Sequence, residues 1–155
     1  MKITVSNLNL RRKLNVNFIK KITRMVLRNI KRSRSRIDLD LVFLDDRAIR
    51  VFNKAYKGKD RPTDVLSFNI NAEELKTGRT FGEVLISSDT AFRNSKAFKT
   101  NFEEEIALYV IHGILHLFGY EDETAGDRGK MFRLQERVLR ALCGKEDLSK
   151  VLMPR

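Results

Sequence analysis

The chain has 155 residues, a single cysteine and a formal net charge of +11. A hydrophobic fraction of 42% that includes ten Phe supplies a core, which excludes a disordered chain, and this length suits one domain. The single cysteine excludes a disulfide scaffold, and no apolar run approaches the roughly 20 residues that span a bilayer. We therefore expect one soluble domain over residues 1–155, located in the cytoplasm.

The positive charge is concentrated in the first quarter of the chain. Residues 1–36 contain twelve Lys or Arg and no Asp or Glu, whereas the remaining residues carry 19 basic and 20 acidic side chains. Hydrophobic alternation predicts a strand near residues 2–9, and a helix near residues 15–31 follows it. Apolar side chains recur on one face of this helix. Basic side chains recur every four residues on the other face, at Lys20, Arg24, Arg28 and Arg32.

Two interpretations are open for this basic face. The ordinary one is a charged helix surface that is simply solvated. A face of one sign, however, gains no pairing between residues four apart, and its charges repel one another. We therefore expect a polyanionic partner, and these four residues to bind nucleic acid through its phosphates.

The remaining elements alternate between strands and helices before three consecutive helices. We predict a strand at residues 37–44, a helix from Asp45 or Asp46 to about Tyr56, strands at residues 63–70 and 82–87, and helices from Ser88 or Asp89 to about Phe98, from about residue 102 to 118 and from about residue 125 to 142. The two early βαβ units favour parallel pairing, and the short loop at residues 71–81 allows the last two strands to be antiparallel. We expect an α+β fold with a mixed four-stranded sheet packed with helices.

A cationic turn lies between the second helix and the third strand. It contains Lys57, Lys59 and Arg61, with Gly58 and Pro62 beside them. Such a turn is either an ordinary exposed loop or a site that binds a phosphate and stabilises its developing charge. The residues alone leave both interpretations open.

The two histidines of the chain, His112 and His116, lie four residues apart in a predicted helix. This spacing places both imidazoles on one face, and the uncharged residues 106–118 indicate that the helix is buried. Core neighbours could satisfy each imidazole separately, but metal ligation explains a pair on one face more economically. Gly119 can end the helix in the left-handed conformation and so turn Asp122 toward the pair.

The resulting pattern, His-x-x-x-His-x-x-Gly-x-x-Asp, is metzincin-like. Two imidazoles and a carboxylate leave a tetrahedral zinc one open position, where a water has its pKa lowered to about 7, as in catalytic sites. Glu121 and Glu123 flank Asp122 and are alternative ligands. Peptidases of the His-Glu-x-x-His type carry their general base directly after the first ligand, where this chain has Gly113. The pattern therefore indicates metal-dependent hydrolysis and does not identify the substrate.

Three stretches of the sequence match a known family. They are NKAYKGKDRPTDVLSF at residues 53–68, GEVLIS at residues 82–87 and HGILHLFGY at residues 112–120. Together they resemble the YbeY family of bacterial metal-dependent endoribonucleases and rRNA maturation factors. The resemblance implies one zinc per chain, cleavage of single-stranded RNA, and a role in 16S rRNA 3′-end maturation and ribosome quality control.

The resemblance also assigns roles to residues. It implies that His112 and His116 are metal ligands, and we expect Asp122 to replace the third histidine that the family commonly has. The family's basic residue after Tyr56 is commonly Arg, whereas this chain has Lys57, which we expect to act as the catalytic residue on the scissile phosphate. We further expect RNA binding by the other two cations of the turn, Lys59 and Arg61, and ribosomal particles as partners.

Two other functions remain open beside the endoribonuclease. One is a non-catalytic RNA-binding ribosome-assembly factor in which the metal is structural, and the other is a zinc peptidase. The open coordination position disfavours the assembly factor, and Gly113 disfavours the peptidase.

Overall fold

A computed structural model describes residues 1–30, 36–69 and 79–155. Its elements are β1 (Ile3–Asn7), α1 (Val16–Ile30), β2 (Arg36–Leu44), α2 (Asp46–Lys57), β3 (Val65–Asn69), β4 (Arg79–Ser87), α3 (Ser88–Ala97), α4 (Phe102–Leu117), α5 (Ala125–Cys143) and a 3-10 helix (Leu148–Val151). The order of the strands and α-helices confirms the predicted one, and the 3-10 helix is an element that the sequence analysis does not predict. The ends agree within two residues, except that β4 begins at Arg79 instead of residue 82. Lys31 and Ile70, at the ends of predicted elements, and Arg32 of the predicted basic face lie outside the described residues.

The four strands form one mixed sheet in the order β1-β2-β4-β3. The β1–β2 and β2–β4 pairs are parallel, and β3 and β4 are antiparallel. The α+β class, the parallel first βαβ unit and the antiparallel last pair are therefore confirmed.

The expected parallel pairing within the second βαβ unit is wrong. Strand β4 lies between β2 and β3, and β3 runs antiparallel to β2. The reason is burial. Consecutive residues Val84, Leu85 and Ile86 are all buried, which requires cover on both sheet faces and favours a central strand. The shorter β3, with its polar Ser67 and Asn69, occupies the edge.

Helices cover both faces of the sheet. Alternate residues of β2 and β4 contribute to a main core with α1, α4 and α5, while the intervening residues contribute to a smaller core with α2. The smaller core consists of Leu44, Ile49, Leu66 and Leu85. No helix within the described ranges has the length and apolar character needed to cross a membrane.

Two helix ends are defined by glycines in the left-handed region. Gly58, with a φ of +67°, ends α2 and donates its N–H to the Lys54 carbonyl at 3.1 Å. Gly119, with a φ of +86°, follows α4 and confirms the predicted left-handed turn. A helix C-terminus carries partial negative charge, so both ends provide surroundings that favour cations.

Candidate metal centre

His112 and His116, in the last two turns of α4, converge with Asp122 in the segment that follows the helix. The two Nε2 atoms are 3.0 Å apart. The Asp122 Oδ2 atom lies 3.5 Å from Nε2 of His116 and 3.7 Å from Nε2 of His112. Within the described part of the chain, these three residues form a cluster that could hold a metal, with candidate ligand atoms all within 4.8 Å of one another.

The Nδ1 atom of each imidazole forms a hydrogen bond with an acceptor outside the cluster. His116 Nδ1 donates to the Tyr120 carbonyl oxygen at 2.9 Å, and His112 Nδ1 donates to Oε1 of Gln135. A carbonyl oxygen only accepts, so a neutral imidazole here carries its proton on Nδ1 and a lone pair on Nε2. Two lone pairs and a carboxylate then face one another, which is repulsive unless a cation lies between them. The donor set therefore fits a divalent metal.

The solvent exposure of the cluster suits a site that is open to substrate. The side chains of His112 and His116 are 23% and 26% exposed, and that of Asp122 is 45% exposed. The helix is buried against the sheet and α5, as the sequence predicts, but the imidazoles themselves lie at its accessible end. A bound ion would thus be reached from one side.

Gln135 is a site residue that the sequence analysis does not single out. It lies on α5, 23 residues after His112. Its contact depends on how α5 packs against α4, and no local spacing pattern signals it. Although it is the only glutamine in the chain, composition alone gives no reason to place it at the site.

Gly113 faces the sheet and not the cluster. A Cβ at this position would lie 2.4 Å from Cγ1 of Val84 and 3.0 Å from Cγ1 of Val65. The Gly113 carbonyl accepts a hydrogen bond from Ser67 Oγ at 2.8 Å, which connects α4 to β3. A glutamate base of the His-Glu-x-x-His type has no space here, so the structure strengthens the argument against that class of peptidase.

A cleft of about 390 Å³ joins the histidine cluster to the cationic turn. Its charged lining residues are Lys57, Lys59, Arg61, Asp64, Glu121, Asp122 and Glu123. The structure therefore brings the three cations of the turn and the three candidate ligands together. The two flanking glutamates are exposed and line the cleft, but the carboxylate that meets the imidazoles is that of Asp122.

The cationic turn is held in shape by Asn53, a buried residue of α2. The Asn53 side-chain amide donates to the Arg61 carbonyl at 2.9 Å, and the Lys59 N–H donates to the Asn53 carbonyl at 3.3 Å. A single residue thus holds both ends of the turn, through its side-chain amide at Arg61 and its backbone carbonyl at Lys59. Its position within the family-like motif is visible in the sequence, whereas its bridging contacts are not.

The acidic residue of the turn, Asp60, is neutralised by α2. Arg50 donates to it at 2.8 Å, and this hydrogen bond lowers the pKa of the Asp60 carboxyl. In the described ranges no ion pair engages Lys57, Lys59 or Arg61, and all three are exposed. Their charge is therefore available to a ligand in the cleft.

The basic face of α1 lies outside this cleft. Lys20 and Arg24 line a groove beside β1, and Arg24 and Arg28 line a second groove beside the C-terminal segment. Arg32, the fourth residue of the predicted face, lies outside the described residues. The structure does not bring this face to the His112–His116–Asp122 cluster, so the basic face and the cationic turn are separate surfaces.

Comparison with known proteins identifies close relatives. The family model described as Endoribonuclease YbeY matches residues 4–143. A protein named Endoribonuclease YbeY from Aquifex aeolicus is 43% identical over 107 residues, which cover 68% of this chain and 71% of the relative. Its namesake from Petrotoga mobilis is 37% identical over 143 residues, with 92% and 96% covered. A solution structure from Thermotoga maritima shares the fold, with a TM-score of 0.64 at 24% identity over 92% of this chain and 90% of that one.

Proposed function

Because this chain belongs to the endoribonuclease YbeY family, we propose that it is a zinc-dependent enzyme that cleaves single-stranded RNA. The observation that carries the proposal is the meeting of His112, His116 and Asp122 with the cationic turn in one cleft. We propose 16S rRNA 3′-end maturation and ribosome quality control as its cellular roles. The chain would act as a single domain over residues 1–155 in the cytoplasm, on RNA within ribosomal particles.

In this proposal His112, His116 and Asp122 hold one Zn²⁺ per chain. When bound, the ion supplies Lewis acidity and a water of lowered pKa, because three protein ligands leave one position open. The chain itself orients the ligands. The Tyr120 carbonyl and the Gln135 side chain retain the Nδ1 protons, so both Nε2 lone pairs point inward.

Lys57 is the proposed catalytic residue on the scissile phosphate. It is exposed at the C-terminal end of α2 and lines the cleft that contains His112, His116 and Asp122. Its ammonium group is a compact point charge that would stabilise negative charge as it develops on the phosphate oxygens. Lys59 and Arg61 extend the positive surface along the adjoining RNA backbone.

The basic face of α1 is a second proposed RNA contact. Lys20, Arg24 and Arg28, continued by Arg32, would bind phosphates without sequence preference. Since this face is separate from the cleft, it would hold a part of the RNA that is not being cut. The separation also favours the alternative of a non-catalytic assembly factor, because RNA binding by the basic face of α1 does not require the His112–His116–Asp122 cluster.

A cleavage assay separates the enzyme from the assembly factor. The zinc-loaded chain should cut a labelled single-stranded RNA and spare a duplex, and chelation should stop cleavage until Zn²⁺ is restored. Lys57→Ala should lower turnover on the order of 10² to 10³-fold, whereas Lys150→Ala, an exposed lysine outside the cleft, should leave it unchanged. Bound but uncut RNA would favour the assembly factor. A denatured peptide mixture should not be cut.

A further inference from the structure

Exposed aromatic rings lie next to the cationic turn. Phe52 and Tyr56 are one helical turn apart on α2, with nearly parallel rings at an interplanar angle of 6° and centroids 6.4 Å apart. The Tyr56 ring also contacts Phe68 of β3 at a centroid distance of 4.8 Å. We call Phe52, Tyr56 and Phe68 the aromatic patch.

Only one ring of this patch is accounted for by packing against the smaller core. Phe68 is partly buried and packs against that core. Phe52, by contrast, is 38% exposed and Tyr56 is 66% exposed. Large aromatic rings give most stabilisation when they are buried, so two neighbouring rings that remain accessible indicate a surface available to a ligand.

The aromatic patch adjoins the proposed RNA cleft along α2. Tyr56 immediately precedes Lys57, and Asn53, one turn earlier, lines the cleft together with Lys57. Consecutive residues of a helix are about 100° apart around its axis, so this turn of α2 presents the Tyr56 ring and the Lys57 cation on adjacent faces. Lys57 and Lys59 have no ion-pair partner in the described part of the chain.

We propose that the aromatic patch is a base-stacking subsite for unpaired nucleotides of the RNA that enters the cleft. This inference rests on the proposed function and names how that substrate is selected. An exposed ring beside unpaired cations matches single-stranded nucleic acid, because every base has a π-face and every linkage carries a negative charge. Bases within a duplex are already stacked on one another, so this subsite favours single strands.

Stopped-flow fluorescence tests the proposal before any strand is cut. The full zinc-loaded chain is mixed with a single-stranded RNA that carries 2-aminopurine, a base whose fluorescence falls on stacking. Tyr56→Ala should abolish the fluorescence decrease and weaken RNA affinity about 5- to 100-fold. Tyr56→Phe should retain both, because it keeps the ring.

An abasic RNA identifies stacking as the cause. Removing the base should weaken binding to the wild type by a similar factor and should cause no further loss in Tyr56→Ala. Phe98→Ala is the matched control, since Phe98 is 69% exposed and does not line the cleft, and it should bind like the wild type. Thermal unfolding of each variant establishes that it is folded.

Two results would overturn the inference. One is unchanged RNA affinity in a folded Tyr56→Ala variant, which would leave this face to a protein partner. The other is an equal loss for intact and abasic RNA. The subsite and the nuclease can also fail separately: Tyr56-dependent quenching without cleavage would support the subsite and remove the proposed enzyme, whereas cleavage without Tyr56-dependent quenching would do the reverse.

Discussion

His112 and His116 differ in the group that accepts the hydrogen bond from their Nδ1 atoms. His116 uses the backbone carbonyl of Tyr120, which a substitution does not remove, whereas His112 uses the side chain of Gln135 on another helix. Spacing alone predicts the two imidazoles on one face, and the left-handed Gly119 is equally local. Gln135 is not predictable in this way, because its contact exists only once α5 packs against α4.

Gln135→Leu should therefore weaken metal binding while the fold is retained. We expect about a 10- to 100-fold loss of Zn²⁺ affinity, because His112 loses the acceptor that fixes its tautomer and orientation. Gln135→Glu keeps an acceptor and should retain most of the affinity. Competition with a chromophoric chelator measures the difference. Wild-type affinity in Gln135→Leu would show that this contact does not support the site.

Gly113→Ala should destabilise the protein by about 1–3 kcal/mol, because its Cβ would overlap Val84 in a packed interface. Gly126→Ala is the matched control. It lies in a helix with no heavy atom within 4 Å of the added Cβ and should be neutral or stabilising by up to about 1 kcal/mol. Urea unfolding compares the two variants, and equal free energies of unfolding would contradict the steric argument.

At the scale of elements, α1 shows both what sequence patterns predict and what they do not. Its apolar stripe is buried as predicted, with Ile19, Ile22 and Val26 fully covered. The pattern of one helix cannot place its other face relative to a site more than 80 residues later in the chain. In the same way, β4 enters the sheet between β2 and β3 because of its burial on both faces, which the order of elements alone does not show.

Charge reversal on α1 should change the salt dependence of RNA binding. For single strands the logarithm of affinity falls with the logarithm of salt concentration by about 0.7 per neutralised phosphate. Replacing Lys20, Arg24 and Arg28 by Glu should flatten this slope by about 2. A single charge reversal outside both basic regions, Lys150→Glu, should have little effect on the slope. An unchanged slope in the triple variant would mean that this face is only solvated or contacts a protein.

At the scale of the whole molecule, a network of hydrogen bonds around one buried acid, Asp89, holds distant segments together. Asp89 accepts from Asn9 at 2.9 Å, from Arg11 at 2.6 Å, from Arg12 at 3.2 Å and from the Asp46 N–H at 3.2 Å. Burial alone would raise the pKa of Asp89, but these hydrogen bonds outweigh it and the pKa is lowered. Three of these partners, Asn9, Arg11 and Arg12, lie in the loop that follows β1. They are 77 to 80 residues before Asp89 in the sequence, so no local pattern reveals the contacts.

This network should make stability depend on pH. A lowered pKa in the folded state means that stability is fully present above the ordinary carboxyl value of 3.8 and is lost as pH falls through the native value. Asp89→Asn should cost about 1–3 kcal/mol at neutral pH and should reduce the further loss on acidification. Urea unfolding at a series of pH values measures both. A variant as acid-sensitive as the wild type would exclude Asp89 as a main cause.

Metal occupancy and RNA cleavage, measured on the same samples, test the central claim most directly. Wild type, His116→Ala and Asp122→His are titrated with Zn²⁺, and the initial rate of single-stranded RNA cleavage is plotted against bound metal per chain. We expect the wild-type rate to rise with occupancy and to level off at one ion per chain. Asp122→His should keep the metal, whereas His116→Ala should lose both metal and cleavage with RNA affinity nearly unchanged. Two results would contradict the account. One is RNA cleavage by metal-free protein in a preparation without contaminating nuclease, and the other is full Zn²⁺ occupancy and activity in His116→Ala.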